Sequence, residues 1–371
     1  MKRYIFLLCV LLSYVCRADI ELRSTQIRTD NGLANNTVRY FYQDSKGFLW
    51  MSTIDGLCRY DGNSFMTLRP DPNLPVSLTD QRTSMITEDK NGFIWIASTA
   101  ELYSCYDLKH YRFVDYTGNG ELYKRYTNLT ITDNSDVWLY HNNGNGARYV
   151  QYQDGHFTSA GYSKEQGNLP DNRVSFIYES PKNTIWIGTQ KGLVIVSEND
   201  NNIADNQNDY RFVVSDKKRK VFFITHENEI IIYDILTKKQ EKNIPFPYTD
   251  SCTPTGCIYN NNELIILTTA GVFTYDIRND KITRGNDLLK EEPKAGTVIT
   301  DNRGNDWIYN HSGKLWYINK EKKTSRVFTL IPEDKIGYVD YERYSMVHDS
   351  RNIIWISTYG NGLFAYHTVS D

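Results

Sequence analysis

Cysteine, methionine and proline are scarce in this 371-residue chain, with six, five and ten of each. The cysteines include no CxxC pair, and no histidines stand at the spacing a zinc finger needs, so neither a metal nor any other cofactor is expected. Long apolar runs are missing beyond residue 15, which leaves the rest of the chain without a membrane-spanning segment. An excess of one charge is missing too. The chain has 42 Lys and Arg against 45 Asp and Glu, a net charge of −3, so no general basic field exists to attract nucleic acid. Glycines occur singly in turn-like settings and never as a phosphate-cradling run before a helix.

Aromatic residues, by contrast, are plentiful. They make up 13% of the chain and include 28 tyrosines, a bias towards strands. A tryptophan also returns inside one short phrase. It reads DSKGFLWMST at Trp50, EDKNGFIWIAST at Trp95, SPKNTIWIGT at Trp186, DNRGNDWIYN at Trp307 and DSRNIIWIST at Trp355, while TDNSDVWLY at Trp138 fits with one residue missing. A repeat of 37 to 48 residues marks a supersecondary unit stacked on its own copies.

The first unit reads as four strands. These are Thr37 to Gln43, Phe48 to Thr53, Leu57 to Tyr60 and Ser64 to Leu68, separated by turns at 44–47, 54–56 and 61–63. Asp opens the first turn because its carboxylate takes backbone amides ahead of it, and Gly closes the turn because it accepts positive φ. The turn acid returns as Asp89, Asp133, Asp301 and Asp349, and the third strand opens on a glycine at 192, 271, 313 and 362. In the second unit Glu101 replaces that glycine. Residues 220–235 and 262–277 lack the tryptophan but keep paired apolar strands, which brings the count to eight units between Leu33 and His367.

Small four-stranded sheets cannot bury both faces alone, so they must pack face to face around an axis. The expected fold is therefore an all-β propeller of four-stranded antiparallel blades, with the tryptophans filling the space between sheets. Residues 19–30 look like a lone fourth strand, and the last unit stops after its third. An N-terminal strand completing the last sheet would close the ring.

Residues 1–18 have the order of a secretory signal: Lys2 and Arg3, an apolar run from Tyr4 to Val15, then Cys16, Arg17 and Ala18. Cleavage after Ala18 is expected, ahead of an uncleaved anchor or a lipid-modified Cys16. The exported domain then covers 19–371, unless the last unit, about 338–371, belongs to a following propeller. Four cysteines remain: Cys58, Cys105, Cys252 and Cys257. The last two lie within SCTPTGC and form either a local disulfide or buried thiols.

The phrases at residues 30–62 (DNGLANNTVRYFYQDSKGFLWMSTIDGLCRYDG) and 348–367 (HDSRNIIWISTYGNGLFAYH) resemble two-component-regulator propeller repeats. Such repeats form the periplasmic sensor region of hybrid two-component systems of Bacteroides and its gut relatives. The likeness is strong in units one, two, four, seven and eight. It implies a seven-bladed propeller, and a periplasmic module that senses a glycan and controls carbohydrate-utilisation genes through kinase and DNA-binding modules. The 371 residues contain no such module, so the chain resembles the first propeller of a sensor or a stand-alone relative.

Loops before the first strand and between the second and third strands should gather on one face of a propeller. Counting back 17 residues from Trp gives Leu33, Leu78 and Leu169, and four residues later stand Thr37, Arg82 and Arg173. Unit seven has Lys294 there, unit three has Arg125 beside Tyr126, and unit eight has Glu342 beside Arg343. Arg82, Arg125, Arg173 and Lys294 are thus candidates for binding an acidic oligosaccharide or an acidic partner loop. The plainer alternative is pairing with acids such as Asp80 and Asp171. The second-to-third loops add Asp55, Asn142, Asn143, Gln190, Tyr309, His311, Tyr359 and Asn361, where rings and amides suit sugars and also suit turns.

Two other functions compete. Glycoside cleavage needs carboxylates at defined separation, yet the Asp residues read as turn formers and His141, His226, His311 and His348 fall in different units. A scaffold would use the same face for a neighbouring sensor domain or a homodimer partner. Direct nucleic-acid binding is not expected.

Overall fold

The computed structural model describes residues 21–117, 125–197, 200–227, 229–246, 252–260, 262–285, 297–301, 303–309, 313–329, 346–351, 353–357, 360 and 362–369. The strands form eight four-stranded antiparallel sheets. Blade one shows how local chemistry sets them. Its strands are Val38–Gln43, Leu49–Thr53, Gly56–Tyr60 and Phe65–Leu68, each within one residue of the boundaries read from the sequence. The second strand is buried from end to end in blades one to four and again in seven and eight. Both faces of it meet a neighbour, which is why it reads as a continuous apolar run and not as an alternation.

The core is divided into eight clusters, each shared by two successive blades. Trp50 and Leu57 of blade one pack with Ile86, Ile94 and Ile96 of blade two. Later pairs follow suit: two with three, three with four, four with five, five with six, six with seven and seven with eight. Finally Trp355, Leu363 and Ala365 of blade eight pack on Val38, Phe41 and Met51 of blade one, closing the circle. The protein is an eight-bladed β-propeller. The count of units therefore holds, and the seven blades implied by the family resemblance do not. Blades five and six have phenylalanine, isoleucine and leucine where other blades have tryptophan, and they share a buried cluster all the same.

Glu21–Ile27 pairs antiparallel with Leu363–Val369, from Ile27 opposite Leu363 to Glu21 opposite Val369. It is the outer strand of blade eight, as the closure argument expects, and it covers an edge that would otherwise be exposed.

Each tryptophan phrase holds its turn by the same bonds. Asp44 Oδ1 accepts from the amides of Lys46 and Phe48, and Oδ2 accepts from the Trp50 indole at 2.7 Å. Asp89, Asp301 and Asp349 repeat the pattern with Trp95, Trp307 and Trp355. In blade four Ser180 replaces the acid and its hydroxyl accepts from Trp186 at 2.9 Å. In blade three the structural equivalent is Thr132 and not Asp133: the turn closes on Thr132, six residues before Trp138, with no residue missing.

Cys58, Cys105, Cys252 and Cys257 are free. Of the two readings left open for SCTPTGC, the structure shows free thiols, Cys252 buried and Cys257 half-buried. Desolvation raises the Cys257 thiol to about 12.

Candidate functional site

The first strand of each blade is innermost, and in blades one, two, four, five and six it bulges near its start. Here the residues before the first strand meet the second-to-third loops. Gly56 donates to the carbonyl of Gln81 in the next blade, Thr99 to Arg82, Gln190 to Arg173, Gly146 to Asn172, and Gly362 to Asn36. The two loop sets therefore share one face, and the buried Leu33, Leu78 and Leu169 anchor it from below. Arg82 and Arg173 occupy equivalent places.

Their side chains are engaged differently. Arg173 forks onto Asp171, with Nε to Oδ1 at 2.8 Å and Nη2 to Oδ2 at 3.1 Å. That bond leads the lowering of the Asp171 carboxyl below its usual range. Arg82 reaches Asp80 only at 3.7 Å and is 58% exposed. Arg125 is exposed and makes no ion pair among the described residues, while its carbonyl accepts from Asn145. For Arg173 the plainer alternative thus describes the structure, with the acid in its own turn. Arg82 and Arg125 stay available to an anion.

Tyr309 ends the second strand of blade seven and is 1% exposed in the core shared with blade eight. It is correspondingly removed from a ligand-facing surface: that strand is buried on both sides. Asp55 pairs with Arg69 at 3.0 Å. Lys294, His311, Tyr359, Asn361, Glu342 and Arg343 lie outside the described residues.

Two features of this face were not visible in sequence. Glu101, standing where the repeat has glycine, adopts φ +63°, a left-handed conformation that costs a bulky residue on the order of 1 kcal/mol. Its carboxylate oxygen lies 3.3 Å from His141 Nε2 of blade three. Because His141 Nδ1 takes the Asn143 amide at 2.7 Å, the ring proton sits on Nε2. The bulges also collect unpaired polar atoms: Asp209 Oδ1, Arg211 Nε and Thr255 Oγ1 are buried without partners among the described residues. Such atoms call for water or a ligand hydroxyl.

Among the described residues, no group of His, Cys, Asp and Glu is placed to hold a metal ion, and no helix is long and apolar enough to cross a membrane.

An eight-bladed propeller with its variable residues gathered on one loop face is the class of molecule defined so far. Residues 32–55 and 168–191, each running from the buried leucine through the first two strands, match the two component regulator propeller. Blades one and four thus each carry a segment that matches that family's repeat. Its fold is similar to the extracellular domain of a hybrid two component system, BT3049, from B. thetaiotaomicron, with a TM-score of 0.52 and 20% identity over 95% of this chain and 55% of that one. The extracellular domain of a one component system, BT4673, from the same organism gives 0.52 and 16% over 91% and 52%. Sqt1 of Saccharomyces cerevisiae gives 0.63 and 10% over 95% and 100%. This chain spans about half the length of the two B. thetaiotaomicron domains. At such identities the likeness is one of fold. No curated protein matches in sequence.

Proposed function

We propose that this propeller is the ligand-sensing part of a periplasmic two-component sensor. It binds a glycan without cleaving it, and a kinase and response regulator carry the signal to carbohydrate-utilisation genes. The observation that carries this reading is the match of two blades to regulator-propeller repeats within a closed ring of eight. Arg82 and Arg125 on the loop face supply exposed donors for a carboxylate or sulfate, and Lys294, His311, Tyr359 and Asn361 belong to the same proposed site. Signal-like residues 1–18 support export, as does likeness to extracellular domains.

Calorimetry of the purified chain against neutral and acidic oligosaccharides tests it. Saturable heat with at least one glycan, and no new reducing ends, is the expected result. Absence of heat with every glycan, together with concentration-dependent dimerisation, would replace the sensor by a scaffold.

A further inference from the structure

Blade two has the shortest outer strand of the ring, Arg112–Val114, against His156–Tyr162 in blade three. A cleft of about 630 Å³ opens between them, within the range of small-ligand sites. Three rings form its floor. Phe93, Tyr152 and Phe157 lie with centroids 4.8 to 5.1 Å apart. Tyr152 and Phe157 are only partly buried, so ring surface faces the opening.

The rim carries polar groups held in place but not used up. Arg112 stands across the strand pair from Asp107. Asp107 is already committed: His110 Nδ1 lies 2.6 Å from its Oδ2, and the amides of Lys109 and His110 donate to Oδ1. The Arg112 guanidinium is therefore left without a carboxylate among the described residues. Asp115 Oδ1 takes both the amide and the hydroxyl of Thr117, at 2.9 and 2.6 Å, which fixes the carboxylate and leaves Oδ2 open. A forked donor, an oriented acceptor and an aromatic floor thus meet in one cleft.

We infer that this cleft binds a neutral pyranose unit of an external glycan, and that it is a saccharide site separate from the loop face. A pyranose offers an apolar face for the rings and adjacent hydroxyls that both donate and accept. The charges also favour a neutral sugar. Arg112 and Asp115 balance, and His110 sits on Asp107, so a carboxylate ligand would gain from one cation and meet two acids. The inference rests on the proposed role as a glycan receptor.

Saturation-transfer NMR of the full chain with methyl glycosides of glucose, galactose and mannose, and with glucuronic and galacturonic acids, tests it. At least one neutral glycoside is expected to bind. Arg112→Ala and Asp115→Asn should each weaken it about tenfold or more, the effect of losing a charged hydrogen bond. Both positions are exposed, so unchanged melting curves verify folding, and Lys239→Ala on the outer strand of blade five should bind as the parent does. Binding that survives both cleft variants but is lost in Arg82→Ala or Arg125→Ala would overturn the cleft and leave the receptor reading standing. Binding of no sugar in this set or of longer oligosaccharides would overturn both.

Discussion

Trp138 stands six residues after Thr132, the spacing that joins Trp50 to Asp44, yet its buried indole N–H has no hydrogen-bond partner among the described residues. The Thr132 hydroxyl takes the Asp136 amide and does not take the indole, whereas the Ser180 hydroxyl at the same spacing takes the Trp186 indole. Thr132→Asp should supply the acceptor and keep the amide bond of Asp136, raising stability by about 1 kcal/mol. Denaturant melts of the two proteins measure it. A lower midpoint would mean that repulsion from Asp133 and Asp136 outweighs the bond.

The tryptophans that do have partners should be costly to lose. Trp186 is fully buried between blades four and five, where it meets Phe223 and Tyr233 at 5.6 and 5.5 Å. Trp186→Ala should destabilise by about 3–5 kcal/mol. Trp186→Phe, which keeps most of the volume but abandons Ser180, should cost much less. Equal losses in the two variants would assign the energy to the hydrogen bond and not to packing.

Acid should weaken one particular cross-strand tie. Arg219 Nε lies 2.5 Å from Asp234 Oδ2, and this bond is the main reason the Asp234 carboxyl is held down at about 2. The folded value lies below the ordinary one near ~3.9, so the stabilisation is complete above that pH and drains away as pH falls from about 4 to about 2. Arg219 is 63% exposed, so solvent and salt keep the effect small. Asp234→Asn should flatten the stability profile in that window alone. An unchanged slope would show that the pair contributes nothing.

Two carboxylates in the same kind of turn should titrate in opposite directions. Burial raises Asp89, and its bonds from Trp95, Phe93 and Asn91 do not make up the difference. Burial also raises Asp349, but there the Trp355 and Ile353 bonds, joined by the Arg351 guanidinium at 2.9 Å, bring it below the usual range. NMR titration of the side-chain carboxyls should place Asp89 above Asp349. Arg351→Ala should narrow the gap by raising Asp349.

The thiols offer a direct check on the core. Cys58, Cys105 and Cys252 are buried, and burial raises the Cys58, Cys105 and Cys257 thiols. Native protein should react with almost no thiol reagent, and unfolded protein should react at all four positions. A titre two short after unfolding would reveal a disulfide between Cys252 and Cys257.

Much of this architecture was legible because it repeats. Strand boundaries in blade one, the strand pairs at 220–235 and 262–277, and the closing N-terminal strand follow from alternation and turn chemistry that any single unit displays. The blade number was legible from counting units and was misjudged only from family habit. The site was far less legible. A sequence shows that Arg82 and Arg173 are equivalent, but not that Asp171 lies at forked distance from one while Asp80 stands off from the other. Tyr309 looked like a loop residue because its strand is short, though burial on both faces makes it core. The Glu101–His141 pair links adjacent blades across a turn that normally has glycine, and nothing local announces it.

The strand that seals the ring has a temporal consequence. Glu21–Ile27 precedes every other described strand of the ring and its partner Leu363–Val369 follows them, so about 335 intervening residues must fold before either edge is covered. Until then an early strand and a late sheet both stand open to the wrong partner. Closure of the ring thus waits on two strands far apart in sequence, and faults in this propeller should arise as entangled or exchanged chains more readily than as a single misplaced blade.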